Sequence, residues 1–494
     1  MEHYDVCVIG GGPSGYAAAM RAVDFGKKVL LIESDRIGGA GIYDGALSSK
    51  AFWEISREIA LTRKMFLRHG LKPHEIPFSY VAAEVQDAVR ERSEQLVRHM
   101  ELVREEQGNT FHYAKGHGKL TGLNEVEVQS EKETFRVQTD NILLATGSRP
   151  RILPHIPVDE KIILTSDGIS SLTDYPKSIV VLGAGVVGCE FATIFSNFGS
   201  TKVYLIDKEP RILPFEDEDV AQVIERNLEA NGVTIHHKSQ LKSMGIAGGE
   251  VEYVVAYEDG REETFHVEKG LISVGRVPNW EDMGLKEVGV ELTPAGHLVN
   301  EDSRSNIHNI YGIGDLTADI ALVNVGELEG RHAIEKIYGK PRRPLLYENI
   351  STIMFLEPET AGVGMNEQQA QKAGLSYQAA IYDYACIPRA MAMRRTQGFF
   401  KILVTDDDEK KILGMRAVGE HASSAIQAVA LLISMDKGIE ELAELIHPHP
   451  SIIEGIQECV RMLLGKSVFK PSVFGEYLIF RRFRDGRYVD STHA

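Results

Sequence analysis

The sequence predicts an α/β fold in which one β-α-β plan occurs twice and is followed by a third, α+β domain. Residues 4–33 and 178–207 each read as a β-branched strand, a glycine-rich turn, a helix with small residues on one face, and a second strand ending in an acid. After residue 346 the pattern changes, and strands such as residues 399–404 precede helices such as residues 424–435. These observations set the order of the predicted domains.

The first glycine turn has the spacing G-x-G-x-x-G, formed by Gly10, Gly12 and Gly15, and Glu33 ends the strand that follows. In such a unit the first glycine permits a tight turn, the second lets the backbone approach a pyrophosphate, and the third lets helix and strand pack closely. The helix N-terminus offers N–H donors, and the acid can accept from ribose hydroxyls. We therefore predict that this unit binds a dinucleotide.

The second unit repeats the glycine spacing with Gly183, Gly185 and Gly188. Asp207 ends its second strand, where a carboxylate accepts from ribose hydroxyls and repels a 2′-phosphate, which favours NAD over NADP. Lys208 and Arg211 follow, and they either soften that preference, so that NADP remains possible, or are ordinary surface charges. The predicted fold is thus α/β, with two Rossmann-like dinucleotide-binding domains and an α+β C-terminal domain.

Length and charge restrict the classes of function. The chain has 494 residues, enough for about three domains. Its formal net charge of −17 repels a polyanion, so we expect no nucleic-acid partner. No apolar run reaches the roughly 18 residues that a bilayer span needs, and the N-terminal residues lack the basic segment and cleavage site of a signal peptide. We expect no transmembrane segment.

The cysteines are scattered through the chain, at Cys7, Cys189, Cys386 and Cys459. Because no two of them form a metal-ligand pair or a disulfide framework, we expect reduced thiols and no metal site. Buried reduced thiols are typical of cytoplasmic proteins, and this location is the one we predict.

Further motifs follow the glycine turns in a fixed order. They are ATGSRP at residues 145–150, SVGRVPN at 273–279, NIYGIGD at 309–315 and TAGVG at 360–364. Over roughly residues 4–465 this order resembles the pyridine nucleotide–disulfide oxidoreductase family, and its dihydrolipoamide dehydrogenase-like members in particular. The resemblance implies FAD in the first unit, NAD in the second and a C-terminal domain that forms a homodimer.

The same resemblance implies roles for single residues. Asp315 would bond the ribityl chain of FAD. Lys50 would lie beside the flavin and form a buried pair with Glu190. The other cofactor-binding positions in the matching motifs are Thr146, Gly147 and Gly275.

The segment HPHPSIIE, residues 447–454, resembles the family pattern H-x-H-P-x-x-x-E. In the family the second histidine is an acid–base group supplied by the partner subunit and oriented by the glutamate. The resemblance thus implies His449 as acid–base and Glu454 as its orienting group. Two uses stay open for His449, which are proton transfer to an acceptor and a structural contact at the dimer interface.

The chain departs from the family at the redox-active disulfide. The family reads G-G-T-C-x-N-x-G-C-x-P-S-K where residues 38–50 read GGAGIYDGALSSK, so Gly41 and Ala46 stand at the cysteine positions. Neither residue can carry electrons as a thiol. We expect the missing sulfur atoms to leave open volume beside the flavin, lined by Tyr43 and Asp44, unless Tyr43 packs in the core.

These features predict an FAD-dependent NAD(P)H oxidoreductase that passes electrons from NADH through flavin to a small-molecule acceptor. Residues 38–50 and 151–157 resemble the quinone-reductase branch of the family, which makes a quinone the expected acceptor. One alternative is a soluble NAD(P) transhydrogenase, against which Asp207 argues because NADP must also bind. The other is a flavoprotein module without catalytic activity.

The motifs also set the expected domain boundaries. The FAD-binding domain takes residues 1–150 and 276–345, the NAD(P)-binding domain 151–275, the dimerisation domain 346–465, and a C-terminal extension 466–494. The extension is basic and aromatic, and Asp485-Gly486 is expected to close a small hairpin in it. It either packs as an arm, covers the opening beside the flavin, or contacts a membrane surface.

Overall fold

The computed structural model describes residues 1–317, 320–341 and 344–489. Residues 318–319 and 342–343 of the predicted FAD-binding domain, and 490–494 of the predicted extension, lie outside the described residues.

The chain divides into two compact units. The first comprises Met1–Pro176, Met244–Glu252 and His266–Leu345, and the second comprises the intervening residues and those from Leu346 onward. The domain boundaries expected from the motifs stay predictions.

The described residues form β-strands and α-helices, with alternation in the two β-α-β units and runs of consecutive strands elsewhere. The helices are α1 (Pro13–Asp24), α2 (Ala46–Arg68), α3 (Phe78–Gln107), α4 (Val186–Phe198), α5 (Glu218–Ala230), α6 (Val323–Tyr338), α7 (Glu367–Lys372), α8 (Pro388–Met393), α9 (Ala422–Ala425), α10 (Gln427–Ser434), α11 (Glu440–Ala443) and α12 (Glu454–Leu463). The strands are β1 (Glu2–Ile9), β2 (Val29–Glu33), β3 (Phe111–Lys115), β4 (His117–Gly122), β5 (Glu125–Gln129), β6 (Thr134–Leu144), β7 (Ser148–Pro150), β8 (Ile163–Leu164), β9 (Ser178–Leu182), β10 (Lys202–Ile206), β11 (Thr234–His236), β12 (Ser239–Ala247), β13 (Glu250–Tyr257), β14 (Glu262–Val267), β15 (Lys269–Ile272), β16 (Arg276–Pro278), β17 (Ile310–Gly312), β18 (Thr352–Met354), β19 (Thr360–Gly364), β20 (Tyr377–Asp383), β21 (Phe399–Thr405), β22 (Ile412–Val418), β23 (Leu478–Arg484) and β24 (Arg487–Val489).

The first unit is built on a sheet in the order β3-β2-β1-β6-β5-β4, with β17 also paired to β6. β1 pairs in parallel with both β2 and β6, and β17 pairs in parallel with β6, whereas β4, β5 and β6 form antiparallel pairs. Val6, Val8 and Leu31 in the parallel part are fully buried. Continuous apolar strands of this kind are typical of parallel sheets covered on both faces.

Helices α1 and α6 approach closely because small residues face each other. A Cβ atom on Gly330 would lie 2.3 Å from the Ser14 carbonyl oxygen, and one on Gly326 would lie 2.2 Å from Ser14 Oγ. A Cβ on Gly314 would also meet Ser14 Oγ, at 2.4 Å. This packing places the segment that carries Asp315 beside the helix of the first glycine turn.

The second unit holds the central strands of the second β-α-β unit and the C-terminal sheet. Strands β11, β10 and β9 form parallel pairs next to α4. The C-terminal sheet has the order β18-β19-β22-β21-β20-β23-β24. Its core is apolar and includes Phe400, Ile402 and Val460, all fully buried. Helices α9 to α12 accompany this sheet, in agreement with the α+β character predicted for the C-terminal domain.

The C-terminal extension is an arm of this sheet. β23 pairs with β20 and turns back into β24 through Asp485 and Gly486, whose φ angles of 50° and 74° are both positive, as a tight hairpin turn requires. Arg484 pairs with Asp406 at 2.6 Å. Arg481 pairs with Glu367 at 2.9 Å. Arg481 and Arg484 of the extension are thus engaged inside the second unit.

In the parts of the chain that the structure describes, no helix is long and apolar enough to cross a membrane.

Candidate functional site

The first glycine turn has the geometry that its spacing predicts. Gly10 has φ 107°, and a Cβ atom there would lie 2.2 Å from the Ala145 carbonyl oxygen. A Cβ on Gly15 would lie 1.9 Å from the Gly10 carbonyl oxygen. The turn and the contact between α1 and β1 therefore both require glycine.

Gly12 leaves open space at the N-terminus of α1. Among the described residues, no heavy atom apart from its own chain neighbours lies within 4 Å of the position a Gly12 Cβ would take, and no side chain caps the helix. The first N–H groups of α1 thus remain available to an anion. A dinucleotide pyrophosphate fits this arrangement.

Glu33 organises the same turn. One carboxylate oxygen accepts from the Gly11 N–H at 2.6 Å and the other from the Asp35 N–H at 2.7 Å, and the residue is only 9% exposed. Its position at the end of β2 and beside the glycine turn agrees with the predicted ribose site. The ribose contact itself stays a prediction.

Asp315 lies where three separate motifs meet. Ser148 Oγ donates to its carboxylate at 2.6 Å, and Arg276 Nε donates to Ser148 Oγ at 2.7 Å. β7 and β16 bring the last two together, since they pair antiparallel. Asp315 was expected from the sequence, whereas Ser148 and Arg276 were not, although both lie in motifs that the resemblance had already identified.

The remaining positions of these motifs form tight turns. Gly147 has φ 67° and Gly275 has φ 101°. Thr146 is joined to Asn279 in both directions, since its hydroxyl donates to the Asn279 carbonyl and its carbonyl accepts from Asn279 Nδ2 at 3.0 Å. Their contacts with a cofactor stay predictions.

The second glycine turn repeats the first. Gly183 has φ 105°, and Gly188 is buried in α4. Among the described residues, no heavy atom apart from its own chain neighbours lies within 4 Å of the position a Gly185 Cβ would take. In the same part of the chain, no side chain caps the N-terminus of α4, which begins after Gly185. Asp207 accepts from the Ala184 N–H and, at 2.8 Å, from the Glu209 N–H. Asp207 thus accepts from the same two kinds of backbone N–H as Glu33 does, one in the glycine turn and one two residues further along the chain.

The two basic residues after Asp207 differ in their surroundings. Arg211 donates to the carbonyl oxygens of Leu213 at 2.9 Å and Pro214 at 3.1 Å, so its guanidinium holds the following loop. Lys208 has a side chain that is 85% exposed and lies 3.7 Å from Glu209. These contacts favour the interpretation of Arg211 as a structural charge and of Lys208 as a surface charge over their use in a 2′-phosphate site.

The loop that replaces the disulfide is closed at its first cysteine position. A Cβ atom on Gly41 would lie 2.5 Å from Cγ of Pro13, the first residue of α1. The prediction of open volume is therefore wrong at this position, because the proline ring already occupies the space that a side chain of residue 41 would take. The second position, Ala46, is the first residue of α2.

The two other residues proposed to line that volume are engaged elsewhere. Tyr43 is part-buried against the core of the first unit, its hydroxyl lies 2.6 Å from Ser93 Oγ, and the Arg36 guanidinium lies 3.9 Å from its ring centroid. Asp44 pairs with Arg36 at 2.9 Å. Tyr43 thus takes the packing role that was the alternative for it.

Lys50 and Glu190 lie in different units. Lys50 is on α2, with its Nζ atom 3.2 Å from Ser49 Oγ. Glu190 is on α4, is 5% exposed and accepts from the Phe355 N–H at 3.0 Å. Their pairing beside the flavin stays a prediction.

His449 and Glu454 form the dyad that the motif implies. Nδ1 of His449 lies 2.7 Å from Glu454 Oε1, and Glu454 Oε2 accepts from the Ser451 N–H at 2.8 Å. Burial would raise the pKa of Glu454, but these hydrogen bonds outweigh it and lower the pKa. An ionised Glu454 favours the His449 tautomer that donates from Nδ1, and the His449 side chain is 69% exposed.

Comparison with known proteins gives matches over nearly the whole chain. Residues 4–330 match the family model described as pyridine nucleotide-disulphide oxidoreductase, and residues 350–460 match its dimerisation domain. The chain is 32% identical over 470 residues to dihydrolipoyl dehydrogenase 2, mitochondrial, of Arabidopsis thaliana, covering 94% of this chain and 91% of that protein. It is 32% identical over 466 residues to dihydrolipoyl dehydrogenase of Geobacillus stearothermophilus, covering 94% and 97%.

Solved structures show the same likeness. LpdA from Mycobacterium tuberculosis has a TM-score of 0.84 and 27% identity, covering 94% of this chain and all of that one. The HOCl-induced flavoprotein disulfide reductase RclA from Escherichia coli has a TM-score of 0.82 at 22% identity, covering 93% of this chain and all of that one, and here the likeness concerns the fold alone.

Proposed function

The chain belongs to the pyridine nucleotide-disulphide oxidoreductase family, and on that premise we propose that it passes electrons from NADH through FAD directly to a quinone. Membership confirms the predicted α/β fold class, the FAD-dependent NAD(P)H oxidoreductase activity and the cofactors FAD and NAD(P). The dimerisation domain supports a homodimer. The quinone, the transfer without a disulfide and the cytoplasmic location belong to the proposal.

The main support for this proposal is the absence of cysteine at the two positions of the family's redox-active disulfide. The positions of the family's redox pair are Gly41 and Ala46, and the Pro13 ring lies 2.5 Å from where a Gly41 side chain would begin. The sequence contains no cysteine besides Cys7, Cys189, Cys386 and Cys459.

Those remaining thiols are poor substitutes for a redox pair. Burial raises the pKa of Cys7, Cys189 and Cys459, each of which is fully buried, and raises the pKa of Cys386 to about 11. Because the thiolate is the reactive form, none of these side chains is suited to disulfide exchange near neutral pH. Electrons must then leave the flavin for the acceptor without a protein disulfide.

FAD, when bound, supplies the group that accepts hydride from NADH and gives two electrons to the acceptor. The protein itself binds and orients the two dinucleotides. The open N-terminus of α1 at Gly12 would take the FAD pyrophosphate, Glu33 its ribose and Asp315 its ribityl chain. The open N-terminus of α4 at Gly185 would take the NADH pyrophosphate, with Asp207 on the ribose.

Reduction of a quinone to a quinol consumes a hydride equivalent and a proton. In the proposed reaction His449 delivers that proton through Nε2, while Glu454 keeps Nδ1 protonated and the ring oriented. The geometry that supports this step is the 2.7 Å contact between His449 and Glu454, together with the exposure of the ring.

Steady-state oxidation of NADH with separate acceptors tests the proposal. We expect many turnovers with a water-soluble quinone, none with lipoamide, and little transfer to an NADP analogue, because Asp207 disfavours a 2′-phosphate. Lipoamide reduction by the wild-type chain would contradict the proposal. Rapid transfer to the NADP analogue would favour the transhydrogenase alternative. His449→Ala is expected to slow quinone turnover and leave flavin reduction by NADH unchanged.

A further inference from the structure

The second glycine turn is held at its middle residue, Ala184, through both backbone groups. The Ala184 N–H donates to Asp207, and the Ala184 carbonyl accepts from the Leu213 N–H at 2.9 Å. Leu213 follows Asp207 by six residues in the chain and is fully buried. The chain that follows Asp207 therefore returns to the glycine turn and fixes it from the carbonyl side.

The first glycine turn is closed in the same way, but by a different type of residue. Gly11 is the middle residue of that turn, and its carbonyl accepts from the Gly38 N–H at 2.8 Å. Gly38 has φ 98°, which glycine adopts readily, whereas Leu213 has φ 46°. A bulky residue with positive φ persists only where the surrounding contacts hold it. The second turn therefore needs support for its closing residue, and the first does not.

That support lies in residues 211–217, which we call the closing segment. The Leu213 carbonyl accepts from the Arg211 guanidinium at 2.9 Å and from the Glu216 N–H at 3.0 Å. The Glu216 side chain is buried and forms an ion pair with Arg416 of β22 at 2.9 Å. Arg416 is also buried, and its Nη1 atom donates to carbonyl oxygens of β19 and β22. The C-terminal sheet thus anchors the closing segment through a buried guanidinium.

A second buried ion pair anchors the end of the closing segment. Lys401 on β21 is fully buried, and its Nζ atom lies 2.7 Å from the Asp217 carboxylate. Asp217 also accepts from the N–H groups of Glu367 and Gln368, both at 3.1 Å. Burial raises the pKa of Asp217, but Lys401 and these N–H donors outweigh it and lower the pKa. The carboxylate is therefore ionised beside the ammonium, and the pair ties the segment to the same sheet.

From these contacts we infer that Arg416 is a positioning residue for nicotinamide dinucleotide binding, an inference that rests on the proposed NADH site at the second glycine turn. Arg416 fixes Glu216, and the closing segment then holds Leu213 in its positive-φ conformation. The Leu213 N–H in turn fixes the Ala184 carbonyl. With the turn held in this way, the first N–H groups of α4 keep the arrangement that a pyrophosphate needs. Arg416 thus acts on the affinity through the backbone.

Calorimetric titration of the FAD-loaded full-length protein with NAD⁺ tests this inference without turnover. The double variant Glu216→Met with Arg416→Met removes both charges of the buried pair, a replacement that proteins often tolerate. We expect its dissociation constant for NAD⁺ to rise about tenfold, because the looser turn is no longer preorganised. Flavin content should stay at the wild-type level. The limiting rate of flavin reduction at saturating NADH should stay within about twofold of the wild type, since only binding is affected.

Arg211→Gln tests the closing segment from its partly exposed side. It removes the donors to the carbonyl oxygens of Leu213 and Pro214 and leaves the buried pairs in place. We expect the dissociation constant for NAD⁺ to rise at least about threefold, and NAD⁺ carries no 2′-phosphate that Arg211 could bind. In this variant and in the double variant, the Leu213 amide should exchange hydrogen faster than in the wild type. If the double variant fails to hold FAD, Arg211→Gln decides the outcome.

A matched control removes another ion pair of the same C-terminal sheet. The Asp406 side chain is 2% exposed and pairs with Arg484 at 2.6 Å. Asp406→Met with Arg484→Met therefore also replaces an acid and an arginine by methionine, but outside the closing segment. This variant should bind NAD⁺ like the wild type, and its Leu213 amide should exchange at the wild-type rate.

Three results would overturn the inference. The first is wild-type affinity for NAD⁺ in the double variant and in Arg211→Gln while Gly185→Val weakens binding, which would leave the proposed NADH site standing. The second is an equal loss of affinity in the control variant, which would assign the effect to the stability of the sheet. The third is wild-type binding of NAD⁺ by Gly185→Val, which would overturn the proposed site and this inference together.

Discussion

The two glycine turns use the same chemistry in different surroundings. In each, an acid at the end of the second strand accepts from a backbone N–H inside the glycine turn and from a second N–H two residues further on. Glu33, in the first turn, is buried at 9% exposure, whereas Asp207, in the second, is partly exposed. The two turns thus share one backbone pattern and differ in how far their acid reaches solvent.

The largest expected effect comes from filling each open turn in the same way. Gly12 and Gly185 have φ angles of −68° and −75°, which any residue adopts, so valine there blocks the approach of a phosphate without straining the backbone. We expect Gly12→Val to weaken FAD binding at least about 100-fold, and Gly185→Val to weaken NADH binding similarly. Flavin content and NADH titration measure the two effects.

Each of these variants is the control for the other. Gly185→Val should remain yellow, and Gly12→Val should bind NADH once the flavin is lost. If both variants lose FAD and keep NADH binding, the assignment of the two turns to the two dinucleotides is wrong.

The turns also differ in the residue that opens the helix, which is Pro13 in α1 and Val186 in α4. Because the Pro13 ring lies 2.5 Å from a Gly41 Cβ, we expect Gly41→Cys with Ala46→Cys to lower the free energy of unfolding by about 1–3 kcal/mol. Lipoamide reduction should stay absent in this variant. Urea unfolding and a lipoamide assay check both statements, and restored lipoamide activity would show that the loop can still hold the redox pair.

An intermediate effect is expected at the acid of the second turn. Asp207→Ala removes the carboxylate that we propose to face a 2′-phosphate, so the preference for NADH over NADPH should fall by about tenfold. Rapid flavin reduction by each nucleotide measures it. Glu33→Ala is the matched change in the first turn, and it should weaken FAD binding without changing the nucleotide preference.

The smallest expected effect is at Lys208. Its side chain is 85% exposed, so Lys208→Gln should change the NADPH reaction by less than about twofold. A tenfold loss of NADPH activity would instead make Lys208 part of a 2′-phosphate site, and the second turn would then accept both nucleotides.

The sequence predicts those features of the fold and the site that depend on short, continuous segments of the chain. Glu33 and Asp207 follow from the position of an acid at the end of a strand after a glycine turn. The hairpin of the extension follows from Asp485-Gly486, because such a pair adopts the positive φ angles that a tight turn needs.

Other parts depend on segments that meet only in the folded chain. The contact of Pro13 with Gly41 requires the path of the loop before α2, which spacing alone does not define. Ser148, Arg276 and Asp315 come from separate motifs that β7 and β16 bring together. The role of Arg211 likewise depends on the loop whose carbonyl oxygens it holds.

We propose that flavin electrons reach a quinone without a protein disulfide. Anaerobic stopped-flow tests it most directly, with the protein first reduced by one equivalent of NADH and then mixed with either a quinone or lipoamide. We expect the absorbance of oxidised flavin to return rapidly with the quinone and not to return with lipoamide. Rapid reoxidation by lipoamide, with no reaction of the quinone, would contradict it.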